Sequence, residues 1–163
     1  MDNFTNVETL YERTTKLRTI KFKIAEDYAG NRYGNPKVFA PEDAAAVAEG
    51  IFKAEELDAD QEHMLLLALT TAGKVRGYKV VSSGGLNTAI VEPRIVYRAA
   101  ILLGAASIIM VHNHPSGKMS PSKEDIQITK LLRDAGEIVG IPLHDHIIID
   151  GYGEFTSLAQ RGF

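Results

Sequence analysis

The fold and the chemistry turn on one stretch, Val111-His112-Asn113-His114-Pro115-Ser116-Gly117, followed by Ser120-Pro121-Ser122-Lys123-Glu124-Asp125. Ser107 to Val111 reads as a short β-rich run ending at His112. Alternation along a strand then sends the imidazoles of His112 and His114 to the same side. The Pro-Ser-Gly loop reverses the chain and delivers a helix predicted from Ser122 to about Ala135, with Asp125 in its first turn. Two imidazoles and one carboxylate leave a fourth tetrahedral position open, the arrangement of catalytic rather than structural zinc. A water there would have its pKa lowered toward about 7. Each piece alone has a plainer reading. A His-x-His pair is most often two surface or core histidines, and Ser122-x-x-Asp125 is a helix-capping pattern. Pro121 could also be the first helical residue after a Ser120 cap. Order and spacing together are far more specific than any one piece.

Outward from this centre, strand and helix signals alternate. Met64 to Leu69 is apolar on both faces and is predicted to be a buried strand. Thr71-Ala72-Gly73-Lys74 turns it into a second strand, roughly Val75 to Ser82. Ser83-Gly84-Gly85-Leu86-Asn87 reads as a wide loop, without the Gly-Lys-Ser/Thr ending of a phosphate loop. Pro93 begins a helix to about Leu103. In the helix after Ser122, the spacing of Ile128, Leu131, Leu132 and Ala135 predicts one buried face. Leu143 to Ile149 is a further strand, and Glu154-Phe155-Thr156 reads as an edge pairing. Residues 41 to 56 are predicted helical, with Ala44, Val47, Ala48, Ile51 and Phe52 as the apolar stripe. The class is α/β (α+β) around a mixed sheet.

The chain has 163 residues, 45% hydrophobic and 24% charged, enough apolar material for a core without disulfides or structural metal. It has no cysteine. That excludes a disulfide scaffold, a thiol nucleophile, an iron–sulfur cluster and cysteine-based zinc fingers, so any metal falls to His, Asp or Glu. The net charge of −3 argues mildly against indiscriminate polyanion binding. It conceals an uneven distribution: seven basic and three acidic residues from Leu10 to Phe39, then eight acidic residues against Lys53 alone from Pro41 to Glu62. A boundary is therefore expected near Phe39-Ala40, separating an arm (1–40, part strand, part irregular) from a domain (41–163). Within the arm, Ile20, Phe22 and Ile24 alternate with lysines as in a strand. That strand is expected to pair onto the sheet edge, although a basic, aromatic arm could also grip a nucleic acid or peptide. No apolar run approaches the roughly 18 residues of a membrane span, and Met1-Asp2-Asn3 does not open a signal peptide. The expected setting is cytoplasmic, without membrane partners.

His-x-His, seven residues, Ser, two residues, Asp resembles the JAMM motif of the JAB/MPN metalloprotease superfamily. The neighbouring words, Pro121-Ser122, Glu124-Asp125-Ile126 and Asp145-His146-Ile147-Ile148-Ile149, resemble its RadC branch over residues 60–163. The resemblance implies a cytidine-deaminase-like α/β fold and one Zn2+ per chain on His112, His114 and Asp125. It further implies that Ser122 stabilises a tetrahedral oxyanion and that a glutamate on a neighbouring strand is the general base. Glu62, which opens the Met64–Leu69 strand, fits that position best; Glu92, before Pro93-Arg94, is the alternative. The chain departs from the family in two places. Where RadC proteins commonly read His-Pro-Arg-Glu it has Glu92-Pro93-Arg94-Ile95, and its first 40 residues are too short for the helix–hairpin–helix DNA-binding module.

His144-Asp145-His146 is a second His-x-His. It could supply a second metal or a general acid; the preferred reading is that His146 is buried and holds the site while His144 is incidental. His63 is expected on the face opposite Glu62. The activity expected is zinc-dependent hydrolysis of a peptide or isopeptide bond in a peptide or protein substrate. The alternatives are a DNA repair-associated or nucleic-acid-processing factor and a non-catalytic JAB/MPN binding module.

Overall fold

The computed structural model describes residues 36–84 and 91–163 and the backbone of Lys23–Ile24. These residues form β1 (Lys23–Ile24), α1 (Pro41–Ala54), β2 (Glu62–Leu69), β3 (Val75–Gly84), α2 (Pro93–Leu102), β4 (Ser107–Asn113), α3 (Lys123–Val139), β5 (Leu143–Ile149) and β6 (Phe155–Ser157). The strands make one mixed sheet in the order β1-β3-β2-β4-β5-β6. Only β4 and β5 run parallel, and α3 connects them; the other neighbours are antiparallel.

The apolar runs of β2 and β4 have this pattern because helices cover both faces of the sheet. Leu65, Leu67, Leu69, Ile109, Val111, Ile147 and Ile149 share one core with Ala44, Ala45, Ala48 and Ile51 of α1. Met64, Leu66, Ala68, Ile108 and Met110 face the other way and share a second core with Val96, Tyr97, Ala99 and Ala100 of α2 and Leu132 of α3. The mixed α/β class read from the sequence is the one observed, and α1 begins at Pro41, as predicted, with Ala40 as its N-cap. No helix among the described residues is long and apolar enough to cross a membrane.

Several boundaries and one face differ from expectation. The strand expected at Met64 begins at Glu62, β3 continues past Ser82 to Gly84, β4 extends to Asn113, and α1 ends at Ala54. Helix α3 runs four residues beyond Ala135; of the two caps the sequence left open, Ser122 and Ser120, its N-cap is Ser122. Its buried column is Asp125, Thr129, Leu132 and Gly136, so Leu131, expected in the core, is 55% exposed. Polar Asp125 and Thr129 occupy the inward positions, which turns the helix away from the purely apolar stripe. Lys23 and Ile24 pair antiparallel with Tyr78 and Gly77 of β3, the edge pairing expected of the arm. Ile20, Phe22 and the loop residues 85–87 lie outside the described residues.

Tyr97 clasps α2 to α3. Its hydroxyl donates to the Leu132 carbonyl at 2.6 Å, and burial pushes its pKa up to about 12. Gly136 makes room for this contact. A Cβ there would lie 2.5 Å from the Tyr97 hydroxyl and 2.7 Å from the Ile141 carbonyl. The clasp holds the body of the helix whose first turn carries Asp125.

Candidate metal centre

The ladder between β2 and β4 places Met64 opposite His112. His112 therefore shares the α2/α3 face with Met110, and it is wholly buried. His114 follows on the same side, one step beyond the strand. A turn closed by the Gly117 N–H donating to the His114 carbonyl (2.9 Å) folds the chain back. Gly117 has φ +69°, a left-handed conformation that glycine adopts without Cβ strain. The turn brings the Lys118 carbonyl onto the His114 ring, where it accepts from Nδ1–H.

Asp125 arrives from the other direction, at the third position of α3. Ser122 and Asp125 form a reciprocal cap. The Asp125 N–H donates to the Ser122 hydroxyl (3.0 Å), while the Ser122 N–H and hydroxyl donate to Asp125 Oδ2 at 2.7 and 2.6 Å. The capping pattern and the ligand pattern are thus one structure: the cap fixes the carboxylate that faces the histidines. His112 Nε2 lies 2.9 Å from His114 Nε2 and 3.2 Å from Asp125 Oδ1, and His114 Nε2 lies 3.4 Å from Asp125 Oδ2. Zinc bonds of about 2.0–2.1 Å at tetrahedral angles place donor atoms about 3.3 Å apart. The observed separations, of which the two to Asp125 involve different carboxylate oxygens, lie near that spacing, and one donor atom from each residue falls within 4.8 Å of the others, so together the three could hold a metal. His114 keeps 14% side-chain exposure, against 0% for His112 and 8% for Asp125, so the centre opens on the His114 side.

The contacts behind the three residues constrain the histidine tautomers. The Thr129 hydroxyl donates to the Asp125 carbonyl (2.6 Å) and lies 2.6 Å from His146 Nδ1. A hydroxyl has one proton, so for both contacts to be hydrogen bonds His146 Nδ1–H must donate to Thr129 Oγ1. His146 Nε2 then accepts from His112 Nδ1–H at 2.9 Å. This leaves the His112 Nε2 lone pair facing His114 and Asp125, and the Lys118 carbonyl fixes His114 in the same tautomer. Burial holds the pKa of His146 well below the ordinary histidine value, which keeps it neutral in this relay. Burial also opposes ionisation of Asp125, but the adjacent His112 and His114 rings, with the Ser122 hydrogen bond, outweigh it and hold the carboxyl far below the usual range. The neighbouring Asp125 carboxylate raises the pKa of His114 against burial, assisted by the Lys118 carbonyl and the charge of Glu62.

Glu62 is exposed at the start of β2, on the face of Met64 and His112, and its charge acts on His114. Glu92 caps the start of α2, where its carboxylate pairs with Arg94. His63 is buried on the opposite face, with its ring edge-on to Phe52 of α1. The β4–β5 register skips a residue: Ile108 pairs with Leu143 and Ile109 with Asp145. The extra residue is His144, which is exposed and lines a shallow cavity with Ser107 and Pro142 at the far end of the sheet. Sequence reading had no role for Thr129 or Asn113. Their partners are distant in the chain, and a helical threonine or a spacer in His-x-His gives no local signal.

The fold and site define a mixed α/β domain with a buried His-His-Asp candidate metal centre at the end of its parallel strand pair. The family model for the RadC-like JAB domain matches residues 40–163, and the chain belongs to that family. It is 48% identical over 122 residues to a UPF0758 protein of Desulforamulus reducens, covering 75% of this chain and 52% of the relative. A UPF0758 protein of Salinibacter ruber is 47% identical over 126 residues, 77% and 52% of the two chains. One from Methanosarcina acetivorans is 42% identical over 127 residues, 78% and 53%. The chain thus spans about half the length of the curated relatives it matches.

Proposed function

We propose that the domain is a zinc-dependent hydrolase of the JAMM type that cleaves a peptide or isopeptide bond in a reducing, cytoplasmic setting. The observation that carries this reading is the convergence of two imidazole nitrogens and a carboxylate, each held in place by a partner behind it. His112, His114 and Asp125 would hold the ion. When bound, zinc supplies Lewis-acid chemistry, acidifying a water and polarising a carbonyl oxygen. Glu62 takes a proton at its carboxylate and later delivers it to the leaving amine nitrogen. The Ser122 hydroxyl donates to the developing oxyanion. For that it must turn its proton away from Asp125 Oδ2, while its Oγ still accepts from the Asp125 N–H.

Metal analysis combined with a panel of peptide and isopeptide substrates tests the reading. One zinc per chain is expected, with hydrolysis lost in His114→Ala together with the metal and lost in Glu62→Gln with the metal retained. Absence of zinc from the protein, or hydrolysis that survives His114→Ala, counts against it. Cleavage of a phosphodiester instead would favour the nucleic-acid-processing alternative.

A further inference from the structure

We infer that Asn113, the residue between the two histidines, is a positioning residue for Glu62. The inference rests on Glu62 being the proton carrier proposed above. Backbone pairing between β2 and β4 stops at Met64 and His112. Beyond that point, Glu62 and His63 are paired through the backbone to Gly84 and Ser83 on the β3 side alone. In an extended chain the Gln61 carbonyl and the His63 N–H point to the same edge, here toward β4. The Asn113 carboxamide meets both. Its Nδ2 donates to the Gln61 carbonyl at 2.9 Å, and its Oδ1 accepts from the His63 N–H at 2.8 Å. Nδ2 also reaches the Ala59 carbonyl at 3.5 Å. A side-chain amide thus supplies the rung that the backbone ladder lacks, on the two peptide groups that flank Glu62.

Glu62 is thereby held at both edges, by β3 on one and by Asn113 on the other. That fixes the direction of its Cα–Cβ bond toward the face of His112. From the opposite face of the strand, His63 Nε2 donates to the Asp58 carbonyl and His63 Nδ1 accepts from the Ser83 hydroxyl, each at 2.9 Å. Asn113 is 6% exposed, so water is a poor substitute for its amide. Only a carboxamide of this length offers the donor and the acceptor together. Aspartate keeps the acceptor for His63 but presents an anion to the Gln61 carbonyl, and serine is too short to span both groups. The tripeptide His112-Asn113-His114 consequently places the ion and the carboxylate as one unit. A misplacement of about 1 Å in such a unit can cost on the order of 100-fold in rate.

The test uses the zinc-loaded full chain with acetohydroxamate, which chelates zinc through two oxygens and passes its acidic proton to an adjacent carboxylate. Acetohydroxamate affinity is measured by calorimetry, zinc affinity by chelator competition, and the His63 amide by hydrogen exchange. Glu62→Gln is expected to weaken acetohydroxamate by about tenfold, the worth of a hydrogen bond to a charged group, and to leave zinc affinity unchanged. Asn113→Ser is expected to weaken acetohydroxamate by a similar factor, to deprotect the His63 amide, and to hold zinc within about twofold. In the Glu62→Gln background it should add nothing, because both changes act through one carboxylate. Asn113→Asp should keep the His63 amide protected and still weaken acetohydroxamate, which separates positioning of Glu62 from a general loosening of the fold. Normal acetohydroxamate binding by both Asn113 variants alongside weakened Glu62→Gln overturns the inference and leaves the Glu62 reading intact. Additive losses in the double variant also overturn it. Unchanged binding in Glu62→Gln removes the Glu62 reading itself, and the inference with it.

Discussion

Thr129 has a single proton and two partners, and the direction of that proton decides how His112 faces the metal position. With the hydroxyl spent on the Asp125 carbonyl, His146 must donate to Thr129 and accept from His112. Thr129→Val keeps the shape and removes the acceptor, leaving a buried imidazole N–H without a partner. Zinc affinity is expected to fall about 10-fold or more, the usual effect of losing a partner behind a ligand. Thr129→Ser should restore it. Chelator competition measures the affinity, and imidazole 15N shifts of the metal-free protein report the His112 tautomer. Unchanged affinity and shifts in Thr129→Val would show that the relay does not orient the ligand. At this scale the sequence exposes only what is local. The candidate ligands are legible because strand alternation and helix capping act over two or three residues. Thr129 and Asn113 escape notice because His146 lies 17 residues from the first and His63 lies 50 from the second.

Helix α3 reaches the site only because its body is anchored, and the anchor is a phenol against a glycine. Alanine at position 136 would gain about 0.5–1 kcal/mol from helix propensity. It would, however, thrust a methyl group at the Tyr97 hydroxyl and the Ile141 carbonyl. Gly136→Ala is therefore expected to be destabilising by about 1–3 kcal/mol in urea unfolding. Tyr97→Phe should cost about 1 kcal/mol through its lost hydrogen bond. Tyr97 also gives the domain an alkaline limit. Its folded pKa of about 12 lies above the ordinary 10.0, so the contribution is complete below pH 10 and is lost as pH rises toward 12. Tyr97→Phe should flatten that part of the stability profile; an unchanged slope would mean that Tyr97 ionises as freely in the folded chain as in the unfolded one. The same helix shows where periodicity misleads. Ile128, Leu131, Leu132 and Ala135 describe an apolar stripe, but the site draws Asp125 and Thr129 inward and turns Leu131 out. The apolar runs of β2 and β4 carried no such conflict, because continuous apolar runs can be buried only between two layers.

Across the molecule the two faces of the sheet are unequal. The α1 face is an apolar core through its centre, whereas the α2/α3 face gives way to imidazoles and a carboxylate at the end of β4. Contiguous chain supplies the three candidate ligands, from His112 to Asp125. Glu62, the proposed proton carrier, comes from β2, so it joins the candidate ligands only when the sheet has assembled, and sequence spacing alone cannot place it. An ion at the ligands would tie the end of β4, the following turn and the first turn of α3, which is a link between sheet and helix layer. Binding confined to the folded chain adds about 2.7 kcal/mol when free zinc is 100 times its dissociation constant. For a chain of this size that corresponds to a melting-temperature rise of about 5–10 °C. Calorimetry of the chelator-treated protein, with and without added zinc, measures the shift. Glu62→Gln should keep it, because the carboxylate is outside the ligand set, and His114→Ala should lose most of it. An undiminished shift in His114→Ala would place the stabilising ion elsewhere and separate the metal's structural effect from the centre described above.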